Sequence, residues 1–317
     1  MTIRRSAALL IVLVCVQLAL AEDLVPKDAK LDKVTTGYRF TEGPSADADG
    51  NILFTDEPSN RIIIVKADGK VDVWTKNSQA ANGTAFDVKG RLCACCSEDG
   101  ARAVIRFEKE GKPTILADKY NGKRLTAPND LTFDKQGRLY FTDPCYGSRP
   151  KDGQEKYAVY RIDAENGEVV PNKVTRVIDD VEMPNGICVS PDQKTLYVAD
   201  NHPRKGGPRT LIAYDLAADG SCKRRAVLHD FKDGRGIDGM RCDTQGNIWA
   251  TAESGAKTGV YVFSPEGKQL DFIKTPETAT NCTFGDKDLK TLYITAGASL
   301  YKIRTNATGF LAYPTPR

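Results

Sequence analysis

Apolar residues alternate with polar ones along this chain in runs of about five, and clusters of Gly, Asp, Asn, Pro and Lys separate the runs. A period of two over so few residues predicts strands with one buried face, joined by turns. Six runs share one pattern: NILFTD (51–56), RLCACC (91–96), RLYFTD (138–143), TLYVAD (195–200), NIWATA (247–252) and TLYITA (291–296). Each follows a polar turn, and each is followed by a further strand-like run, such as IIIVKA (62–67), VYRIDA (159–164) or LYKIRT (300–305). A third run, such as VDVWT (71–75), TILAD (114–118) or LDFIK (270–274), completes most units. The pattern recurs every 40 to 57 residues. A four-stranded unit of that length cannot bury its own faces and stacks against its neighbours. The predicted fold is all-β, a six-bladed β-propeller with four-stranded blades, because closing the ring hides most sheet edges. The sixth unit lacks an outer strand after LYKIRT, so residues around Lys33–Phe40 are predicted to pair there and close the ring. A β-sandwich would need fewer strands and no period. A doubly wound α/β sheet would need helical periodicity over ten or more residues, which is not found.

The start of the chain reads differently. Arg4 and Arg5 precede an uncharged apolar run from Ala7 to Leu20, and Ala19-Leu20-Ala21 offers small residues where a signal peptidase cuts. Residues 1–21 are therefore expected to be a cleaved export signal and 22–317 a single propeller domain, periplasmic or secreted. The apolar run is short for a membrane span, and Cys15 lies inside it, so no membrane anchor is expected. The remaining eight cysteines are an even number, and buried core thiols with one or two disulfides are expected. Adjacent Cys95 and Cys96 point to opposite faces of a strand, which argues against a thiolate zinc site.

Composition removes several functions. With 45 Lys+Arg against 42 Asp+Glu the net charge is +3, which is no footprint for nucleic acid or an anionic membrane. Two histidines, His202 and His229, exclude a site built on several imidazoles. Neither a G-x-S-x-G elbow nor a P-loop is present. No obligate protein partner is implied.

A polar position does stand out. Seven residues before each turn position lie Glu42, Asn82, Asn129, Asn185, Asp238 and Asn281. All six fall at the head of the innermost strand of a blade, so they form a ring around the propeller axis. Asn-Gly at 82–83 and 185–186 and Asp-Gly at 238–239 are also ordinary turn dipeptides. Glu42 is no turn former, however, and Asn129 and Asn281 are not followed by Gly. Two carboxylates near one axis repel each other unless a cation compensates them. Oxygen ligands without sulfur or imidazole suit a hard cation, Ca²⁺ first and Mg²⁺ or Mn²⁺ next. Asp47-Ala-Asp49-Gly50-Asn51 faintly resembles a calcium loop, but its Gly is misplaced and the same slot in every unit is a turn.

The segments TEGPSADADGNILFTD (41–56), LADKYNGKRLTAPNDLTFDKQGRLYFTDPCYG (116–147), MPNGICVSPDQKTLYVAD (183–200) and GIDGMRCDTQGNIWAT (236–251) carry a family likeness. Together they resemble the SMP-30/gluconolactonase/luciferin-regenerating-enzyme group, most of all its exported bacterial gluconolactonases, over about Phe40 to Ile303. The resemblance implies one bound divalent cation, usually Ca²⁺ with Mg²⁺, Mn²⁺ and Zn²⁺ as alternatives. It implies Glu42, Asn185 and Asp238 as ligands, and Asn129 beside the metal as a ligand or substrate contact. Asp238 is then the proton donor and acceptor in hydrolysis of a small-molecule lactone. Asp143 and Tyr146, in the D-P-x-Y-G turn, are expected at the wall of the sugar pocket. Many members carry an Arg two residues before the Asn of P-N-D; here that residue is Ala127, and Arg124 is the candidate substitute. An esterase or organophosphatase with the same metal site, and a binding propeller with a structural metal, are the alternative functions.

Overall fold

The structure is a computed structural model in which residues 23–109 and 112–313 are described; the expected export signal lies outside them. The alternating runs fold as strands nearly residue for residue. NILFTD gives Ile52–Asp56, RLYFTD gives Leu139–Asp143, and TLYITA gives Thr291–Ala296. Six antiparallel four-stranded sheets result, and helix among the described residues is limited to two single 3₁₀ turns, Glu57–Ser59 and Gly255–Lys257. The innermost strands of blades 1 to 6 are Thr41–Ala46, Ala81–Phe86, Leu131–Phe133, Pro184–Val189, Met240–Cys242 and Ala279–Gly285. In each blade the order in space follows the order in sequence, with one exception that closes the ring. Blade 6 takes its outer strand from Asp32–Thr36, which pairs antiparallel with Ser299–Arg304.

The core lies between blades. Cys93, Cys95, Val104 and Leu116 of blade 2 pack on Leu139, Phe141 and Tyr160 of blade 3, and the same layering recurs around the ring. Each sheet therefore buries both faces, which explains why second strands such as Leu139–Asp143 are buried throughout. The turns between first and second strands are closed by a short side chain. In blade 1 the Asp47 carboxylate accepts the N–H groups of Asp49 and Asn51, both at 2.9 Å, and Gly50 takes φ +86°. Asp47-Ala-Asp49-Gly50-Asn51 is therefore a turn, and Asp87, Asp134 and Asp243 close the matching turns alike.

The expected disulfides are not formed. All eight described cysteines are free, and only Cys222 is not fully buried. The Sγ atoms of Cys188 and Cys242 come to 3.5 Å, a van der Waals contact far beyond the bond length of about 2.05 Å. The thiols serve as small apolar filling between blades.

Candidate active site

All of Glu42, Asn82, Asn129, Asn185 and Asp238 line one cavity of about 1130 Å³ at one end of the channel. Asn281 stands behind them. Its amide N–H₂ donates to Glu42 at 2.9 Å and its oxygen accepts the Cys282 N–H at 2.8 Å, so the nitrogen is committed to Glu42 and the oxygen to the strand backbone. The ring positions owe their aim to irregular strand heads. The pairing of the first two strands slips between Glu42 and Ser45, Ala81 and Thr84, Pro184 and Ile187, and Ala279 and Asn281. Such bulges turn a side chain out of the regular alternation. In blades 3 and 5 the ring residue precedes the strand by two positions instead.

The glycines after four ring residues are not turn glycines. A Cβ on Gly43 would meet the Asn82 carbonyl oxygen at 2.0 Å, and one on Gly186 would meet that of Asp238 at 2.2 Å. On Gly83 it would meet Asn129 and Asp130, and on Gly239 the Asn281 side chain. Each of these glycines lets the ring residue of the next blade approach the axis.

Burial sets the electrostatics. Glu42 and Asp238 are 3% and 9% exposed. Arg235 pairs with Asp238, whereas Glu42 receives only neutral donors, the Gly43 N–H at 2.5 Å and Asn281. Burial, then repulsion from Asp238 and Asp130, pushes the Glu42 carboxyl well above the usual carboxylate range. Burial also raises Asp238, against the opposing pull of Arg235 and Asn185. A divalent cation between them would remove this penalty. Among the described residues no group of three His, Cys, Asp or Glu side chains could hold a metal ion by itself, so the candidate donors are two carboxylates together with amide oxygens. That is oxygen chemistry suited to Ca²⁺. Asn129 lines the cavity and makes no side-chain hydrogen bond among the described residues. Asn185 donates from its amide nitrogen to the Tyr146 hydroxyl at 3.0 Å, which leaves its oxygen free. Below the ring, Arg241 crosses the channel, 3.6 Å from the buried Asp130 carboxylate.

Other expected site residues sit differently. Tyr146 lines the cavity, but its hydroxyl is occupied by Asn185 and by donation to the Asn201 carbonyl at 3.1 Å. Asp143 is 0% exposed and does not reach the cavity; its carboxylate accepts the N–H groups of Thr126 and Ala127. Arg124 does not line the cavity and donates to the Ala101 carbonyl at 2.8 Å, so it does not take the place left by Ala127. The cavity instead draws Arg39, Arg209 and Arg235 to its wall, with Glu57, Glu98 and Asp99 also lining it. Sequence reading missed Arg235 and Glu57. The available signal for Arg235 was its place three residues before Asp238, on the loop that delivers the ring residue. Glu57 accepts from Asn82 at 3.1 Å, and burial pushes its carboxyl up to about 7.

Comparison with known proteins gives the chain its family. The chain is 29% identical to a gluconolactonase of Zymomonas mobilis over 308 residues, covering 88% of this chain and 82% of the relative. A solved gluconolactonase of Xanthomonas campestris superposes with a TM-score of 0.76 at 32% identity, covering 88% of this chain and 90% of that one. A calcium-binding regucalcin of Agrobacterium tumefaciens shares the fold, with a TM-score of 0.71 at 19% identity, over 93% of this chain and 99% of that one. Residues 40–298 match the SMP-30/Gluconolactonase/LRE-like region, and the chain belongs to that family.

Proposed function

For this member of the family we propose hydrolysis of a sugar lactone, of the gluconolactone type, dependent on a divalent cation, Ca²⁺ first. The relatives named for their chemistry hydrolyse lactones, and this chain is read with them as a lactone-hydrolysing enzyme. One observation carries the reading: Glu42, Asn129, Asn185 and Asp238, from four different blades, line one cavity. These four would hold the cation. When bound, it supplies Lewis-acid polarisation of the lactone carbonyl and stabilises the oxyanion that water addition creates.

The chain's own groups do the rest. Asp238 takes a proton from the attacking water and returns one to the ring oxygen as the acyl–oxygen bond breaks. Arg235, paired with Asp238, holds the carboxylate in place and favours its ionised form. A cation ligand is a weak base, but a lactone is an activated ester and modest basicity serves. Arg39, Arg209, Glu57 and Glu98 of the wall offer hydrogen bonds to a neutral polyhydroxylated ring.

The test is hydrolysis of glucono-1,5-lactone followed by acid release, above the spontaneous rate, with Ca²⁺ and with chelator, beside Asp238→Ala. Cation-dependent turnover lost in the variant supports the reading. Bound Ca²⁺ without turnover of this lactone sends the search to other lactones and esters.

A further inference from the structure

We propose that Asp56, Asp143, Asp200 and Glu253 are positioning residues for the cation ring, one carboxylate per ligand-bearing blade, each tying down the loop that delivers its ring side chain. The inference rests on the cation reading above and deepens it.

The register carries it. Asp56 accepts the N–H groups of Arg39 at 3.0 Å and Phe40 at 3.3 Å, which stand three and two residues before Glu42. Asp143 accepts those of Thr126 at 2.9 Å and Ala127 at 2.7 Å, the same two offsets before Asn129. Asp200 accepts those of Glu182 at 2.9 Å and Met183 at 2.7 Å, again the same offsets before Asn185. In blade 5 the half-buried Glu253 accepts one N–H, that of Arg235 at 3.2 Å, three residues before Asp238, while the Gly236 N–H, two residues before it, goes to the Asn201 amide oxygen at 3.1 Å. All three aspartates are buried, Asp56 and Asp143 as the last and Asp200 as the penultimate residue of a second strand. Asp56 pairs across the sheet with Thr41, and Asp200 with Pro184, each the neighbour of a ring residue.

Blades 2 and 6 lack the device. Cys96 and Ala296 end their second strands. There, as at Gly236 of blade 5, the N–H two residues before the ring position goes to a neutral oxygen of the preceding blade. Ala80 donates to the Asn60 amide at 3.1 Å, and Ala279 to the Thr258 hydroxyl at 3.0 Å. These are the two blades whose ring residues, Asn82 and Asn281, donate their amides to Glu57 and Glu42. Among the described residues a carboxylate thus holds two loop N–H groups beside Glu42, Asn129 and Asn185, one beside Asp238, and none beside Asn82 or Asn281. A carboxylate accepting two backbone N–H groups makes charge-assisted bonds and fixes two successive peptide planes at once. Ligands need such support, because a cation site loses affinity when a donor strays by about 0.5 Å.

The test is calorimetric Ca²⁺ titration of the full chain, well below the melting temperature, with the parent measured first. The variants are Asp143→Ala, Asp143→Asn, Asp200→Ala and Asp200→Asn. Two controls are Asp134→Asn and Asp87→Asn, which loosen buried turn clamps between the first and second strands of blades 3 and 2, at the end away from the ring residues. The clamp variants are expected to bind Ca²⁺ about 10- to 100-fold more weakly, with Asn milder than Ala. The controls are expected to melt earlier and keep the parent affinity. Parent affinity in folded Asp143 and Asp200 variants would overturn the proposal, and so would an equal loss in the controls. A parent that binds no Ca²⁺ is the separate failure of the cation reading, seen before any variant is made, and the proposal falls with it.

Discussion

Single side chains decide what the cavity can do. Asp238→Asn keeps the shape of the side chain and removes its proton-accepting capacity and one negative charge. Turnover should fall about 10²- to 10⁴-fold in a steady-state lactonase assay, and a variant within a few-fold of the parent would remove Asp238 from the chemistry. Glu57 sets a pH dependence. Burial first, with help from Glu98 and Asp99, raises its carboxyl from 4.5 to about 7, against the pull of Ser97 and Asn82. The folded protein then holds this proton more tightly than the unfolded chain. Ionising Glu57 costs stability that is untouched below about pH 4.5, declines as pH rises, and is fully lost above about pH 7. Glu57→Gln should therefore melt progressively higher than the parent as pH is raised through that window, with a constant advantage above it. Parallel melting curves would contradict this. At this scale the sequence was legible through repeat phase and little else. Phase brought out the six ring residues. It could not show that Asp143 turns away from the cavity onto Thr126 and Ala127, because a turn motif does not reveal which backbone N–H groups its side chain meets.

At the scale of strands, the Asn-Gly and Asp-Gly pairs show how a local signal misleads. Asn-Gly at 185–186 is a strong turn dipeptide, yet both residues lie inside the strand Pro184–Val189. Gly186 is there because the next blade's Asp238 backbone would collide with a side chain. Gly186→Ala should cost about 2–4 kcal/mol in denaturant unfolding, as expected of a close backbone contact with no room to relax. It should also weaken cation binding by displacing Asp238. Unchanged stability would mean that the two strands are not held at this distance. The strands themselves were easy to read, because both faces of each sheet are buried and the apolar runs are dense. Loops that carry charge, such as Asp233–Arg235, have no such pattern, so Arg235 reached the site unannounced.

For the whole molecule the feature that matters is closure. A chain that folds blade by blade leaves one sheet short, and Asp32–Thr36 returns to supply the missing edge from the other end of the sequence. The absent outer strand after LYKIRT made this closure legible before any coordinates, with the pairing segment displaced by a few residues. Leu24, Val25, Ala29 and Leu31 add to it by packing on the core of blades 5 and 6. A chain beginning at Gly37 should melt well below the parent and expose the edge of Ser299–Arg304 to aggregation. Equal melting temperatures would show that the ring holds without its clasp. Closure also explains why one end of the channel can assemble a site from residues as far apart as Glu42 and Asp238, each blade adding one polar position to a common axis.

The most direct measurement is therefore the binding of Ca²⁺ to the chelator-treated protein by titration calorimetry, in the parent and in the Glu42→Gln/Asp238→Asn double variant. The expected result is one Ca²⁺ per chain in the parent and none in a folded double variant. A parent that binds no divalent cation, or a folded double variant that binds as the parent does, would contradict the claim that the four blades converge on a metal site.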